Sequence, residues 1–245
     1  MISSLMTVKP YKKSEEQKKK QVEQMFDNIA HRYDFLNHFL SLGIDKLWRR
    51  KAVAMLASYP HDLILDVATG TGDFAIASTR LSPKKVTGFD LSANMIGIGQ
   101  QKVEKLGLQN VIEFVKGDSE NMPFEEEAYD AVTVGFGVRN FENIGKGLAE
   151  FHRILKKDGV AVILEFSKPR YFPMKQLYRF YFLHILPRVG NKISKDSSAY
   201  SYLPESVMAF PDDQDFLNIL KKAGFKSATQ KRLTFGIATI YLAQK

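Results

Sequence analysis

Cysteine is absent from this 245-residue chain. Its absence removes disulfides, thiolate metal ligands and cysteine nucleophiles together, fits a cytoplasmic setting, and leads us to expect no metal. Long apolar runs are also missing: nothing approaches the roughly eighteen consecutive apolar residues of a membrane span. The N-terminus is polar and lysine-rich, without the apolar core of a secretory signal. What remains is ordinary for a folded protein, with 44% apolar and 25% charged residues, and the length suits one large α/β domain.

Acidic residues are the next scarcity. Lysine and arginine outnumber aspartate and glutamate by 35 to 27, a net charge of +8, and the excess is local. Lys168, Arg170, Lys175, Arg179, Arg188, Lys192 and Lys195 fall between residues 167 and 195 with no acidic residue among them. Such a stretch is either a solvated basic face or a surface for an anionic partner.

Residues 1–20 read as a frayed tail. Val22, Met25, Phe26 and Ile29 then have the spacing of an amphipathic helix, Leu36, Phe39 and Leu40 mark a second that stops near Gly43, and Asp45 is placed to cap a third. Residues 1–60 are thus a tail and helical cap, and 61–245 form the main domain. From residue 63 strands alternate with helices: strands over 63–68, 84–90, 111–116, 129–135 and 160–166, helices over 73–81, 92–106 and 143–156. This order predicts a parallel sheet covered on both faces. Lys157-Asp158-Gly159 reads as a turn before the fifth strand. Five prolines break the rhythm over 167–211, around a helical stretch from Met174 to Leu186. A helix over 212–223, stopped by Gly224, and a hairpin of strands 226–233 and 237–244 complete the chain.

The first strand runs into Asp66-Val67-Ala68-Thr69-Gly70-Thr71-Gly72-Asp73. A strand, a glycine turn and a helix N-terminus in that order form a nucleotide-type site. The three glycines of a dinucleotide fingerprint are lacking, and no lysine follows the turn for a triphosphate. The second strand ends in Asp90, where a carboxylate can accept both ribose hydroxyls of an adenosine, and Asp118-Ser119 follows the third, where an adenine edge would lie.

This pattern resembles the class I S-adenosylmethionine-dependent methyltransferases. Three further stretches resemble one family among them, the menaquinone/ubiquinone C-methyltransferases: Phe26 to Asn37 with Leu42 to Arg49, Gly135-Phe136-Gly137-Val138-Arg139-Asn140, and Leu164 to Pro169. The resemblance runs from about residue 22 to the C-terminus. It implies a seven-stranded Rossmann-like sheet, mostly parallel with a C-terminal antiparallel hairpin, plus an N-terminal helical cap and an inserted helical segment. It also implies S-adenosyl-L-methionine as co-substrate, held by Asp66, Gly70, Thr71, Gly72, Asp90, Asp118 and Ser119. Ala68 and Thr69 stand where relatives often have glycine, and both are small enough only to tighten the turn.

The implied reaction moves a methyl group to a ring carbon of a prenylated quinol. A phenol with a pKa near 10 is protonated at neutral pH, so the site has to favour its anion. Arg139 is the candidate for that task, Asn140 for a hydrogen bond to a quinol oxygen, and Tyr33 and His31 for relaying a proton or closing the site. Glu165 ends the fifth strand beside them. The aromatic and basic stretch over 167–211 is expected either to pack on the core or to meet an isoprenoid tail and an anionic membrane. The protein is accordingly expected in the cytoplasm, at the inner face of the membrane, and an oligomer is compatible with this reading. The preferred substrate is 2-demethylmenaquinol, with a 2-methoxy-6-polyprenyl-1,4-benzoquinol as the alternative. Nucleic acid is not expected as a partner. Base-amine methylases carry an Asp/Asn-Pro-Pro-aromatic turn after strand four, where this chain has Gly135-Phe136-Gly137. A non-catalytic quinone-binding protein is the remaining rival.

Overall fold

A computed structural model describes residues 8–41, 43–185 and 198–245. Helix α1 (Lys18–Leu40) runs unbroken for 23 residues, so the two expected N-terminal helices are one. No glycine or proline between Lys18 and Leu40 interrupts it. The tail before it is also more ordered than expected from residue 8 onward. The buried Gln21 side chain accepts from Tyr11 N at 2.9 Å and donates to Glu16 O at 2.8 Å, and Val8 and Tyr11 pack against the cluster of Val22, Met25, Ala199 and Tyr202.

Helix α2 (Ile44–Leu56) begins after Gly43, which takes φ +73°. Asp45 does not cap it. Its carboxylate turns inward, accepts from Ser41 Oγ at 2.6 Å and pairs with Arg49 one turn on. A buried carboxylate gains more from a guanidinium than from a helix amide.

Strands β1 (Leu63–Val67), β2 (Lys85–Asp90), β3 (Ile112–Lys116), β4 (Tyr129–Gly135) and β5 (Leu155–Phe166) alternate with α3 (Asp73–Ser78), α4 (Ala93–Lys105) and α5 (Ile144–Ile154). One seven-stranded sheet has the order β3-β2-β1-β4-β5-β7-β6. Its first five strands are parallel, and β7 (Ala238–Gln244) joins antiparallel to both β5 and β6 (Ser227–Leu233). Strand order reverses between β1 and β4, and the carboxyl ends at such a switch point are where α/β sheets bind ligands.

The expected turn at Lys157-Asp158-Gly159 lies inside β5. Pairing with β4 jumps from Tyr129–Leu155 to Ala131–Val160, and Asp158 takes φ +62°. The three residues bulge out of a continuing strand, and a Cβ at Gly159 would come within 2.9 Å of Asp130 O.

Each face of the sheet has its own core. Phe151, Leu148, Phe216 and Tyr241 lie on one side, and Trp48, Leu56, Phe74 and Leu242 on the other. The stretch after β5 holds more helix than its prolines suggested. Helix α6 (Met174–Phe180) passes into a wider-wound turn over Tyr181–Ile185, and α7 (Ser198–Ala209) contains Pro204. Buried Ala199, Tyr202 and Val207 hold α7 together across that proline. Helix α8 (Gln214–Lys222) ends before Gly224 at φ +109°. Leu186, Arg188, Lys192 and Lys195 lie outside the described residues, as do the side chains of Leu36, Phe39, Leu40, Phe182 and Leu183.

Candidate active site

The glycine turn is shaped from beneath by Asp66. Its fully buried carboxylate accepts from Thr69 Oγ1 at 2.5 Å, Thr133 Oγ1 at 2.7 Å and Ala75 N at 3.0 Å. Burial pushes this carboxyl up to about 6, against the pull of those three donors. Above it Ala68 takes φ +50°, a left-handed conformation unusual for a residue with a side chain. A Cβ on Gly137 would sit 2.6 Å from the Ala68 methyl. The turns after β1 and β4 thus fit only because the second has glycine where the first has alanine.

A first cavity opens above the turn. Gly70, Asp90, Asp118 and Ser119 line it with Phe89, Met95 and Phe141, a floor apolar enough for a flat heterocycle beside a polar wall. Asp90 accepts from Gly70 N at 2.8 Å and Ser92 N at 2.9 Å. Burial raises its carboxyl above the ordinary range, and those backbone donors oppose it. Each carboxylate oxygen has a second lone pair to offer, so two vicinal hydroxyls fit here. Asp118 is partly committed, to Lys19 Nζ at 2.6 Å and Glu120 N at 2.9 Å.

Asp66, Thr71 and Gly72 support the turn from behind and are not among the residues lining this cavity. The Thr71 hydroxyl donates to Asp34 on α1. The backbone at Gly72, with φ +82°, leaves space that Phe114 fills.

Helix α1 supplies contacts the sequence reading missed. Lys19 pairs with Asp118, Glu23 with Lys116 at 2.9 Å, Asp27 accepts from Ser92 Oγ at 2.5 Å, and Asp34 pairs with Lys102 at 2.8 Å. Spacings of four, four and seven put these side chains on one helix face, and that polar stripe was the available signal. Just before it, Lys18 donates from its buried Nζ to Arg139 O at 3.1 Å and Phe141 O at 2.8 Å. Burial lowers its pKa to about 8.

A second cavity lies on the other side of Phe26, Tyr33 and Phe136, which line both. It also takes in Arg139, Phe166, Tyr202, Asp45 and Arg49. Arg139 stands on a short turn after β4 and is 9% exposed. Its Nη1 donates to Glu165 Oε1 at 2.8 Å and to Phe136 O, while its buried Nε has no partner among the described residues. The guanidinium lies 5.4 Å from the centre of the Phe166 ring. Glu165 is fully buried and also accepts from Arg139 N at 3.3 Å. Asn140 lines the first cavity and accepts from Tyr202 OH at 3.2 Å. Burial pushes the Tyr202 phenol well up, so it stays a donor.

Tyr33 meets Phe26 edge-on at 5.8 Å and lies over the turn, 3.8 Å from where a Gly70 Cβ would be. His31, two residues before it on the exposed side of α1, lines neither cavity. Asp45 and Arg49, buried on the wall of the second, were not among the expected site residues.

Two adjoining chambers at the switch point of a doubly covered sheet, one walled by a strand-end carboxylate and the other by a buried guanidinium, suit a donor and an acceptor meeting across a shared wall. The comparisons agree with this shape. An S-adenosylmethionine-dependent methyltransferase from Thermotoga maritima superposes with a TM-score of 0.63 at 19% identity, covering 91% of this chain and 99% of that one. Demethylmenaquinone methyltransferase of Bacteroides fragilis is 49% identical over 239 residues, 97% of each chain. The ubiquinone/menaquinone biosynthesis C-methyltransferase of Geotalea daltonii is 45% identical over 231 residues, 94% of this chain and 98% of its own. The model of the ubiE/COQ5 methyltransferase family matches residues 12–245, from the tail before α1 to the end of β7, and the chain belongs to that family.

Proposed function

We propose that the protein transfers a methyl group from S-adenosyl-L-methionine to a ring carbon of a prenylated quinol, converting a 2-demethylmenaquinol to a menaquinol. The observation that carries this reading is the pair of cavities joined at Phe26, Tyr33 and Phe136, with Asp90 on one side and Arg139 on the other. Names of relatives at 46–49% identity favour the naphthoquinol over a benzoquinol. We read the chain as one structural domain in which residues 1–60 cap the catalytic part over 61–245.

The first cavity fits the donor. Asp90 would hold the ribose hydroxyls, the Gly70 backbone leaves room for a close approach, and Asp118 with Ser119 would meet the adenine edge. Bound there, S-adenosyl-L-methionine supplies a methyl group on a positively charged sulfur. The acceptor's need is a nucleophilic ring carbon. Arg139 favours the ionised form of a quinol hydroxyl through its charge and its unpartnered Nε–H. Asn140, held by Tyr202 from the wall of the second cavity, stands on the wall of the first, so a hydrogen bond from it to a quinol oxygen would come from the donor side. Glu165 anchors Arg139 and keeps the second cavity near neutral overall, suited to a substrate that arrives uncharged. Phe136, Phe166 and Tyr33 exclude water and hold the ring flat against the donor chamber, where closeness and alignment do most of the work.

The acceptor's tail requires an apolar route. Tyr171 and Phe172 are each 81% exposed and Leu177 and Phe180 are exposed beside them, among exposed Arg170, Lys175 and Arg179. An apolar patch ringed by cations suits peripheral contact with an anionic bilayer. Among the described residues no helix is long and apolar enough to cross a membrane.

The deciding experiment offers the purified chain labelled S-adenosyl-L-methionine with chemically reduced demethylmenaquinol, a demethylated benzoquinol and bulk RNA. Label is expected in menaquinol. Label in the benzoquinol alone would replace the substrate, and label in RNA would overturn the reading.

A further inference from the structure

The second cavity contains a second buried cation that the reaction as drawn above leaves unused. Arg49 and Asp45 line it at 8% and 3% exposure. Arg49 Nη1 pairs with Asp45, and Nη2 lies 3.5 Å from Asp73 Oδ2 at the start of α3. Burial works against the Arg49 charge, but Asp73 and Asp45 outweigh it and hold the guanidinium above its ordinary value. Its Cζ stands 5.9 Å from the centre of the Phe136 ring. The Arg139 guanidinium stands 5.4 Å from that of Phe166, and these two rings stack with centres 4.4 Å apart at 33°. The cavity therefore has two guanidinium–carboxylate pairs, Arg49 with Asp45 and Arg139 with Glu165, and each cation faces one ring of a single aromatic stack.

We propose that Arg49 is the second oxygen-binding residue of the acceptor cavity, facing one oxygen of a 1,4-dihydroxy ring while Arg139 faces the other, with Asp45 as the positioning residue that holds Arg49. This rests on the quinol reading given above and deepens it. One guanidinium explains how a phenolate is stabilised. Two, each neutralised by its own carboxylate, explain how a neutral ring with oxygens at opposite ends is recognised. Asp45 also offers a carboxylate oxygen to the quinol hydroxyl at its end, so that hydroxyl donates there and accepts from Arg49. The other hydroxyl releases its proton to water as the ring enters, and Arg139 holds the anion. The oxygen's electron pair moves into the ring as the carbon–methyl bond forms and the methyl–sulfur bond breaks with its pair left on sulfur, giving a neutral dienone. The ring carbon then loses its hydrogen as a proton to water, which returns aromaticity and the phenolate, and the phenolate takes a proton back on leaving, so that one proton is released for each methyl transferred. A ring lacking the oxygen at the Arg49 end leaves a buried charged pair without its ligand, and sites of that kind reject such analogues strongly.

A simpler role for the pair is to bolt α2 to α3 through Asp73. The two roles separate by substrate preference. Wild type, R49K and R139K are assayed on the demethylated 1,4-naphthoquinol and on its two mono-methyl ethers. Lysine keeps the charge beside Asp45 and loses the guanidinium fork. Wild type is expected to prefer the diol over both ethers. R49K is expected to lower kcat/KM for the diol by about tenfold or more and to lose the preference against one ether. R139K is expected to slow the diol while gaining no use of the other ether, whose blocked oxygen cannot ionise, and the dissociation constant for S-adenosyl-L-methionine is expected to stay within about twofold. If R49K does not fold, Asp45→Asn gives the same comparison by loosening Arg49. Equal slowing on the diol and both ethers, or a lower melting temperature with wild-type preferences, would overturn the proposal while leaving the quinol reading intact. A wild-type chain inert towards the diol would remove both.

Discussion

Asp66 and Arg139 are both buried, and their opposite relations to their surroundings lead to different tests. At Asp66 burial outweighs the three donors, so its proton is retained up to about pH 6 in the fold, against about 3.9 in an unfolded chain. Between those values the native state binds more protons than the unfolded one. The stability Asp66 contributes is thus complete below about pH 4 and lost as pH rises through 6. Asp66→Asn has no such proton to lose. Its unfolding free energy from urea titration, relative to wild type, is expected to rise from about pH 4.5 to about pH 7 and stay level above, by a ceiling of roughly 3 kcal/mol. A flat difference across that range would count against the assignment. Arg139 has its cation matched by Glu165, and its value lies in the developing anion. Arg139→Gln is expected to lower kcat by about 10²–10³ with donor affinity unchanged. Steady-state rates and calorimetric titration of S-adenosyl-L-methionine check the two halves. The sequence placed both residues at strand ends, where such sheets bind ligands. It could not tell that Asp66 faces down into the turn, because strand alternation gives the face of a residue and not the partners waiting there. Thr71 was read as a cofactor contact, and its partner Asp34 was missed for a similar reason, being 37 residues away on another element.

Helix α1 is the element least legible in advance. Its apolar spacing was clear, but a gap in that spacing after Ile29 looked like a break. In the structure that gap is filled by residues that serve the site, since the helix turns a polar face towards the loops it covers. Four side chains on that face reach loops after β1, β2 and β3 or the end of β3 itself. Asp34 accepts from Thr71 and Lys102 together. Asp34→Ala removes both contacts and is expected to cost about 1–3 kcal/mol. The loss is expected to be regional: amide exchange should quicken along α1 and the glycine turn while β4, β5 and β7 keep their protection. Uniform quickening would mean that α1 folds as one unit with the sheet. The parallel order, the hairpin and the stop at Gly224 were readable, since each follows from local punctuation. The bulge at Asp158 was not, because Lys-Asp-Gly has the composition of a turn whether or not the strand continues beyond it.

At the scale of the molecule, part of the basic excess seen in composition is exposed on and just before α6. Lys175 and Arg179 stand there with exposed Tyr171, Phe172 and Leu177, while Arg170 pairs with Asp213. Each cation near an anionic surface is worth about 1 kcal/mol, and the attraction falls with salt. Flotation with vesicles rich in anionic lipid is expected to fall when Lys175 and Arg179 become glutamine, and again when Phe172 becomes serine. Equal flotation of all variants, or no dependence on salt, would sink the assignment of this face.

The wall shared by the two cavities carries a thermodynamic obligation. Phe26 and Tyr33 belong to one helix and touch both chambers, so whatever equilibrium governs the seating of α1 is common to donor and acceptor. If the donor draws that helix down and tightens acceptor binding by some factor, the acceptor tightens the donor by the same factor. Titrating each ligand in the presence and absence of the other closes the cycle and measures that coupling as one number. The protein would then bind its two substrates as partners in a single event of closure, with neither chamber fully formed until the other is filled.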